Sequence, residues 1–347
     1  LSMGQFSSQN IENILAFSQR LKPYSGRGSK LSILEGITLK PLFFEPSTRT
    51  IDRHVSAMNT MGGDYNPPFD EKTSSMEKGE PEKDTIITAA QTADILVIRH
   101  PRPYAVHKFA ELIDNLKNNS AFIINCGDGP NEHPTQALLD YYTVMEELGN
   151  LDNLIWLIVG DLQYGRPVHS HMYGIPKFSN NKIIGFPVGG LGLPEEYKPN
   201  SYEEFDFDQL SKVASEIDPK SKVVLYTTRI QFEREARKRD PDYDNYDELR
   251  KKQIRDEIYR EFRYQIPLGL LNALPKRTKL LHPLPRGSEI SDEIFLSNNN
   301  PKVAMIEQMR YGLQVTMGYF ALFSGLEEML HEPEKYLTRR PLALQRI

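Results

Sequence analysis

The sequence predicts an α/β protein of two domains, each a mainly parallel sheet flanked by helices, with a C-terminal helix returning to the first domain. Three observations carry this. Short apolar runs recur without polar alternation, among them Ile95-Leu96-Val97-Ile98 and Leu154 to Val159, which is how strands buried on both faces read. Stretches of helical periodicity separate the runs. A chain of 347 residues is also long enough for two domains of about 100–200 residues each.

In chain order, Ser7 to Leu21 sets Ile11, Ile14, Leu15 and Phe17 mostly on one helical face. Ile37 to Phe44 reads as a strand running into Glu45-Pro46-Ser47-Thr48-Arg49-Thr50. Asp94 to Ile98 and Ala121 to Ile124 are further strands, and Thr135 to Leu148 is a helix joining two α/β halves. Leu154 to Val159, Lys182 to Phe186 and Lys222 to Tyr226 form a second strand series. Phe232 to Tyr264 mixes Arg/Lys with Asp/Glu, so it reads as a solvated surface helix. There, Asn245 and Glu248 have capping-box spacing, and Tyr246, Leu249, Ile254, Ile258 and Phe262 form a narrow apolar stripe. The last amphipathic stretch is about Met309 to Leu330. The expected domains are 1–135, completed by a C-terminal helix at about 304–330, and 136–303, with 331–347 as a tail.

Charge and cysteine content narrow the chemistry. Forty-two Lys+Arg against 47 Asp+Glu leave a net charge of −5, which argues against a bulk nucleic-acid or membrane binder. Any anion must be gripped locally. No apolar run is long enough to span a bilayer, and the N-terminus does not read as a secretion signal. Cys126 is the single cysteine, so the chain holds no intrachain disulfide or multi-cysteine zinc site, and a reducing cytoplasmic setting is expected. Leu1 and Ser2 ahead of Met3 read as additions to the natural sequence.

Arginines follow the strands. Ser47-Thr48-Arg49-Thr50 packs three hydroxyls and a guanidinium at a predicted helix start, where backbone N–H groups favour an anion; an ordinary N-cap with a solvent-facing Arg is the alternative. Arg99-His100-Pro101 closes the next strand, at the strand end where open α/β sheets bind ligands. In the stretch from Asn125 to Gln136, glycines allow close backbone approach. His133 and Gln136 share a helical face there, suited to polarising a carbonyl and holding an amide, or His133 is simply structural. Arg166 follows Gly160-Asp161, and Arg229 follows Tyr226-Thr227-Thr228. His282-Pro283-Leu284-Pro285-Arg286 is a stiff loop whose carbonyls are available. Guanidinium forks suit carboxylates and phosphates, so the pattern predicts a site for two small polyanions between the two domains. Nucleotide-loop spacings, metal-ligand spacings and a nucleophile motif are absent from the sequence.

These blocks resemble the aspartate/ornithine carbamoyltransferase family: Phe43 to Thr50, Arg99 to Pro101, Gly127 to Gln136, Gly160 to Ser170, Thr228 to Arg234 and His282 to Arg286, all in family order. The His-Pro-Leu-Pro-Arg loop and Thr228-Arg229-Ile230-Gln231 look like its aspartate branch. The resemblance implies carbamoyl transfer from carbamoyl phosphate to the amine of L-aspartate, in pyrimidine synthesis and without a cofactor or metal. Another acceptor, such as ornithine or an N-acylated ornithine, and a non-catalytic binding subunit are the alternatives. It implies that Ser47, Thr48, Arg49, Thr50 and Arg99 hold the phosphate, and that His133, Arg99 and Thr50 polarise the carbamoyl carbonyl. Gln136 and the carbonyls of Leu284 and Pro285 would hold the carbamoyl NH2, while Arg166, Arg229 and Gln231 would bind aspartate. Ser74 and Lys78 match a loop donated to a neighbouring subunit, Lys78 serving both substrates, so a homotrimer with shared sites is implied. Any cysteine-rich regulatory chain would be a separate polypeptide.

The chain also departs from the family. After Thr50 the family usually reads Arg-x-Ser-Phe-Glu, whereas here Ile51-Asp52-Arg53-His54-Val55 follows, so this helix is expected to pack differently. Gln163 replaces a common Lys, Pro167 replaces a Thr and removes an N–H, and the Phe232 to Tyr264 segment is long.

Overall fold

Each uninterrupted apolar run becomes a parallel strand buried over most of its length. The computed structural model describes residues 1–26, 28–69, 75–116, 121–297 and 300–339. In chain order these form α1 (Ser8–Leu21), β1 (Lys30–Leu31), β2 (Thr38–Phe43), α2 (Thr48–Met61), β3 (Asp64–Tyr65), α3 (Glu82–Ala90), β4 (Ile95–His100), α4 (Ala105–Asp114), β5 (Phe122–Asp128) and α5 (Pro134–Leu148). Then come β6 (Leu154–Gly160), α6 (Arg166–Gly174), β7 (Lys182–Pro187), β8 (Tyr202–Glu204), α7 (Leu210–Glu216), β9 (Lys222–Thr227), α8 (Phe232–Arg239), α9 (Glu248–Phe262) and α10 (Leu268–Ala273). The chain closes with β10 (Arg277–Leu281), α11 (Asp292–Phe295), α12 (Met305–Phe323) and β11 (Leu337–Arg339).

Two units emerge, Leu1–Tyr142 with the chain from Met309 onward, and Thr143–Gln308. In the first, a four-stranded parallel sheet has the order β3-β2-β4-β5. Its order reverses between β2 and β4, where the chain winds first one way and then the other. Leu42, Leu96, Ile98, Val106, Phe109 and Ile113 belong to its core. The second unit has a five-stranded parallel sheet of order β10-β9-β6-β7-β8, reversing between β6 and β9. Open α/β sheets bind ligands outside the carboxyl ends of strands at such reversals.

Several sequence expectations need correction. The charged segment is two helices, and α9 is capped by Asp247, whose side chain accepts from Arg250 N at 2.7 Å. Asn245 instead ends a 3₁₀ turn. Ile254, Ile258 and Phe262 are buried in the second unit's core, while Leu249 is exposed. The closing helix stops at Phe323, before Gly325 at φ +66°, a conformation that suits glycine. Part of the expected tail is folded, since Leu337–Arg339 pairs antiparallel with Lys30–Leu31. Near the N-terminus the Ser2 hydroxyl and Met3 N both donate to the buried Glu132 carboxylate, and Met3 is fully buried. Among the described residues no helix is long and apolar enough to cross a membrane.

Candidate active site

The first unit gathers its candidate residues at the β2/β4 reversal. Ser47 begins α2, yet its hydroxyl donates to Thr50 Oγ1 at 2.8 Å and caps no backbone N–H. The first-turn N–H groups, orphaned in any helix, thus have no side-chain cap. Thr48 and Arg49 are exposed and Thr50 is buried. Arg99 stands opposite Phe43 in register, and its Nε donates to Glu45 Oε2 at 3.0 Å. His133 and Gln136 flank the start of α5 and are both buried. Thr135 Oγ1 is 3.3 Å from His133 Nδ1, and Gln136 Nε2 donates to Asp140 Oδ1 at 2.8 Å.

Asp128, absent from the sequence-based candidates, organises the β5–α5 loop. Burial alone would raise its carboxyl, yet the His107 ring 3.7 Å away and hydrogen bonds from Asn125, Asn131 and the Glu132 N–H hold it below the ordinary value. It also accepts from Tyr104 N at 3.0 Å, pinning the loop after β4. Gly129 makes this approach possible: at φ +57°, a Cβ there would lie 2.7 Å from the Pro101 carbonyl oxygen. Ser74 lies outside the described residues. Lys78 is exposed at the end of a 3₁₀ turn, and no hydrogen bond or ion pair joins it to Arg49, Arg99 or His133.

In the second unit the loops after β6, β9 and β10 lie side by side because those strands are neighbours. Asp161 ties the first two together. Its carboxylate accepts from Tyr164 N at 2.8 Å and Gln231 N at 2.9 Å, while its own N–H donates to Thr228 Oγ1 at 2.9 Å. Gly160 permits the approach, since a Cβ would meet the Thr228 carbonyl oxygen at 2.4 Å. Gln231 spends its amide within the loops, its Nε2 donating to the Tyr164 carbonyl and its Oε1 accepting from Arg234 Nε at 2.8 Å. The Arg229 guanidinium leans on Glu233 at 3.4 and 3.5 Å. Arg166 is buried at the head of α6. Pro167 follows at the helix start, where the missing N–H would have no intrahelical partner.

The β10 loop has a fixed proton order. Leu284 N donates to His282 Nδ1 at 2.8 Å, so the ring proton sits on Nε2 and is donated to Glu289 Oε1 at 2.8 Å. Both side chains are buried. Burial opposes ionisation of Glu289, but its bonds from His282 and Gly287 N hold the carboxyl below the usual range. This pair fixes the loop carrying the Leu284 and Pro285 carbonyls. Arg286 is spent structurally, donating to the Ile290 carbonyl and Asp292 over the Phe295 ring.

Asp161 also predicts a pH dependence. Burial, outweighing its two N–H donors, raises its carboxyl to about 6. The folded state therefore takes up this proton before the unfolded chain does, so the group's contribution to stability rises as pH falls through 6 toward 4. Protonation weakens its hold on the Tyr164 and Gln231 N–H groups. An anion held by these loops should bind more weakly below pH 6, and Asp161→Asn should flatten that limb; an unchanged limb in the variant would assign it elsewhere.

Two family models match the chain. One, described as the aspartate/ornithine carbamoyltransferase carbamoyl-P binding domain, matches residues 1–146. The other, the Asp/Orn binding domain of that family, matches residues 152–323. The aspartate carbamoyltransferase catalytic subunit of Saccharophagus degradans is 34% identical over 346 residues, covering 95% of this chain and 93% of that protein. Its counterpart from Methanocaldococcus jannaschii is 34% identical over 321 residues, covering 91% and 94%. Among solved structures, aspartate transcarbamoylase from Trypanosoma cruzi in complex with carbamoyl phosphate and aspartate superposes with a TM-score of 0.75 at 29% identity, covering 92% of this chain and 94% of that one.

Proposed function

The chain belongs to the aspartate/ornithine carbamoyltransferase family, and we infer that it transfers the carbamoyl group of carbamoyl phosphate to the amine of L-aspartate, giving N-carbamoyl-L-aspartate and phosphate. The observation that carries this is the placement of arginines and hydroxyls suited to anions at both sheet reversals: Arg49, Arg99 and three hydroxyls in the first unit, Arg166 and Arg229 in the second. We propose that the first unit takes carbamoyl phosphate and the second takes aspartate.

The chemistry follows from where charge moves. The aspartate nitrogen attacks the carbamoyl carbon, and electrons shift onto the carbonyl oxygen. The carbon–oxygen bond to phosphate then breaks, phosphate leaves with the electron pair, and the amine proton passes to the departing phosphate. Arg99, His133 and the Thr50 hydroxyl are the proposed donors to the developing oxyanion, and preorganised donors there lower the barrier most. Ser47, Thr48, Arg49, Thr50 and Arg99 stabilise the departing phosphate. Gln136 and the carbonyls of Leu284 and Pro285 orient the carbamoyl NH2, while Arg166, Arg229 and Gln231 fix the aspartate carboxylates. With Gln231 bonded internally, its engagement requires exchange of those bonds for substrate.

The test is phosphate release from carbamoyl phosphate with L-aspartate, L-ornithine and N-acylated ornithines offered separately. Aspartate-dependent turnover is expected; turnover only with another acceptor would reassign the second half-site and leave the first standing. We further propose a cytoplasmic homotrimer in which the Ser74–Lys78 loop serves a neighbouring site. Lys78→Ala and Arg49→Ala subunits, each impaired alone, should then regain some activity when mixed, because some mixed sites hold both intact residues. No recovery in mass-verified mixed trimers would count against shared sites.

A further inference from the structure

Just past the first turn of α2, Arg53 and His54 carry polar side chains into the first unit's interior. His54 is fully buried, with Nδ1 2.7 Å from the Thr50 carbonyl oxygen and Nε2 2.7 Å from the Tyr319 hydroxyl of α12. The Arg53 side chain runs against Gly312 of the same helix and sets its charge near both His54 and Tyr319, while its buried Nε and Nη2 have no hydrogen-bond partner among the described residues.

The direction of each bond is determined. A carbonyl only accepts, so His54 carries its proton on Nδ1 and gives it to Thr50. Nε2 is then an acceptor, facing the Tyr319 hydroxyl at 2.7 Å and the Cys126 thiol at 3.4 Å, and it takes the proton of the nearer Tyr319, whose hydroxyl also lies 3.2 Å from Thr316 Oγ1. Burial lowers His54 to about 3, which keeps the ring neutral in this arrangement. Cooperative polarisation runs one way, from the Arg53 cation to the Thr50 carbonyl.

Arg53 is also four residues from Arg49, so the two share a helix face with about 5–6 Å between Cβ atoms. Like charges at that spacing oppose each other, and an anion at the head of the helix relieves the opposition. We propose that the Tyr319–His54–Thr50 hydrogen-bond chain, set beside the Arg53 charge, forms a relay that fixes the first turn of α2, with Arg53 as a positioning residue whose charge strengthens phosphate binding there. The proposal rests on the reading of this turn as the phosphate site.

The test uses the whole chain, with inorganic phosphate as calorimetric probe and carbamoyl phosphate in steady-state assays. Arg53→Gln should weaken phosphate about 10-fold and raise the KM for carbamoyl phosphate similarly, with kcat changed far less. Arg53→Lys, which keeps the charge, should recover most of that affinity, and Tyr319→Phe should fall between wild type and Arg53→Gln. Nitrogen-15 histidine spectra of the wild type should show His54 protonated on Nδ1. Thermal midpoints identify any variant whose loss is merely unfolding, and comparing Lys with Gln at position 53 among folded proteins isolates the charge. Equal phosphate affinity of the two variants, or a His54 proton on Nε2, would overturn the relay. Failure of the wild type to bind phosphate would instead overturn the assignment of the turn itself.

Discussion

His133→Ala is expected to lower kcat by about 10²–10³-fold, the usual cost of removing one oxyanion donor, while phosphate affinity changes little. His133 is buried at the start of α5, beside a loop that Asp128 holds through bonds from Asn125, Asn131 and Tyr104 N. Its removal leaves those Asp128 bonds in place. A donor that matters only as charge develops on the carbonyl affects the transition state more than the bound state. Steady-state phosphate release with calorimetric phosphate binding checks this; parallel losses in both would make His133 a ground-state ligand.

Arg49→Ala should act in the opposite manner, weakening phosphate by about 10²-fold and raising the KM for carbamoyl phosphate, since a guanidinium fork on an anion makes paired charge-assisted bonds. Arg49 is exposed at the first turn of α2, whereas Arg99 is tethered to Glu45. Arg49→Lys should recover only part of the loss, because an ammonium supplies the charge without the planar fork. Full recovery by Lys would show that charge alone is read at this position.

Much of this protein was legible in the sequence. Strands β4, β5, β6, β7 and β9 are built on apolar runs with little alternation, β2 alternates at Thr38 and Lys40 before its apolar end, and the helices between them carry ordinary periodicity. The shorter β3 and β8 lack that signal: Asp64, Glu203 and Glu204 give them no apolar run. The stripe assigned from Tyr246 to Phe262 placed Ile254, Ile258 and Phe262 correctly but not Leu249, because periodicity gives a face and not the extent of the surface covering it.

The candidate side chains were legible because each follows a strand directly and carries strong local chemistry, as at Ser47-Thr48-Arg49-Thr50. Their supports were not. Asp161 acts on Gln231 seventy positions away, and His54 on Tyr319 still farther along the chain; no local pattern encodes such partners. What the sequence determined by itself is the set of elements and the residues at their ends, since burial periodicity and helix-start chemistry are short-range. What only the tertiary structure decided is which strand ends are neighbours, where each sheet reverses and which buried polar groups satisfy one another. Those outcomes depend on strand order and on the cost of leaving a donor or acceptor unpaired in the interior, and both are properties of the folded chain.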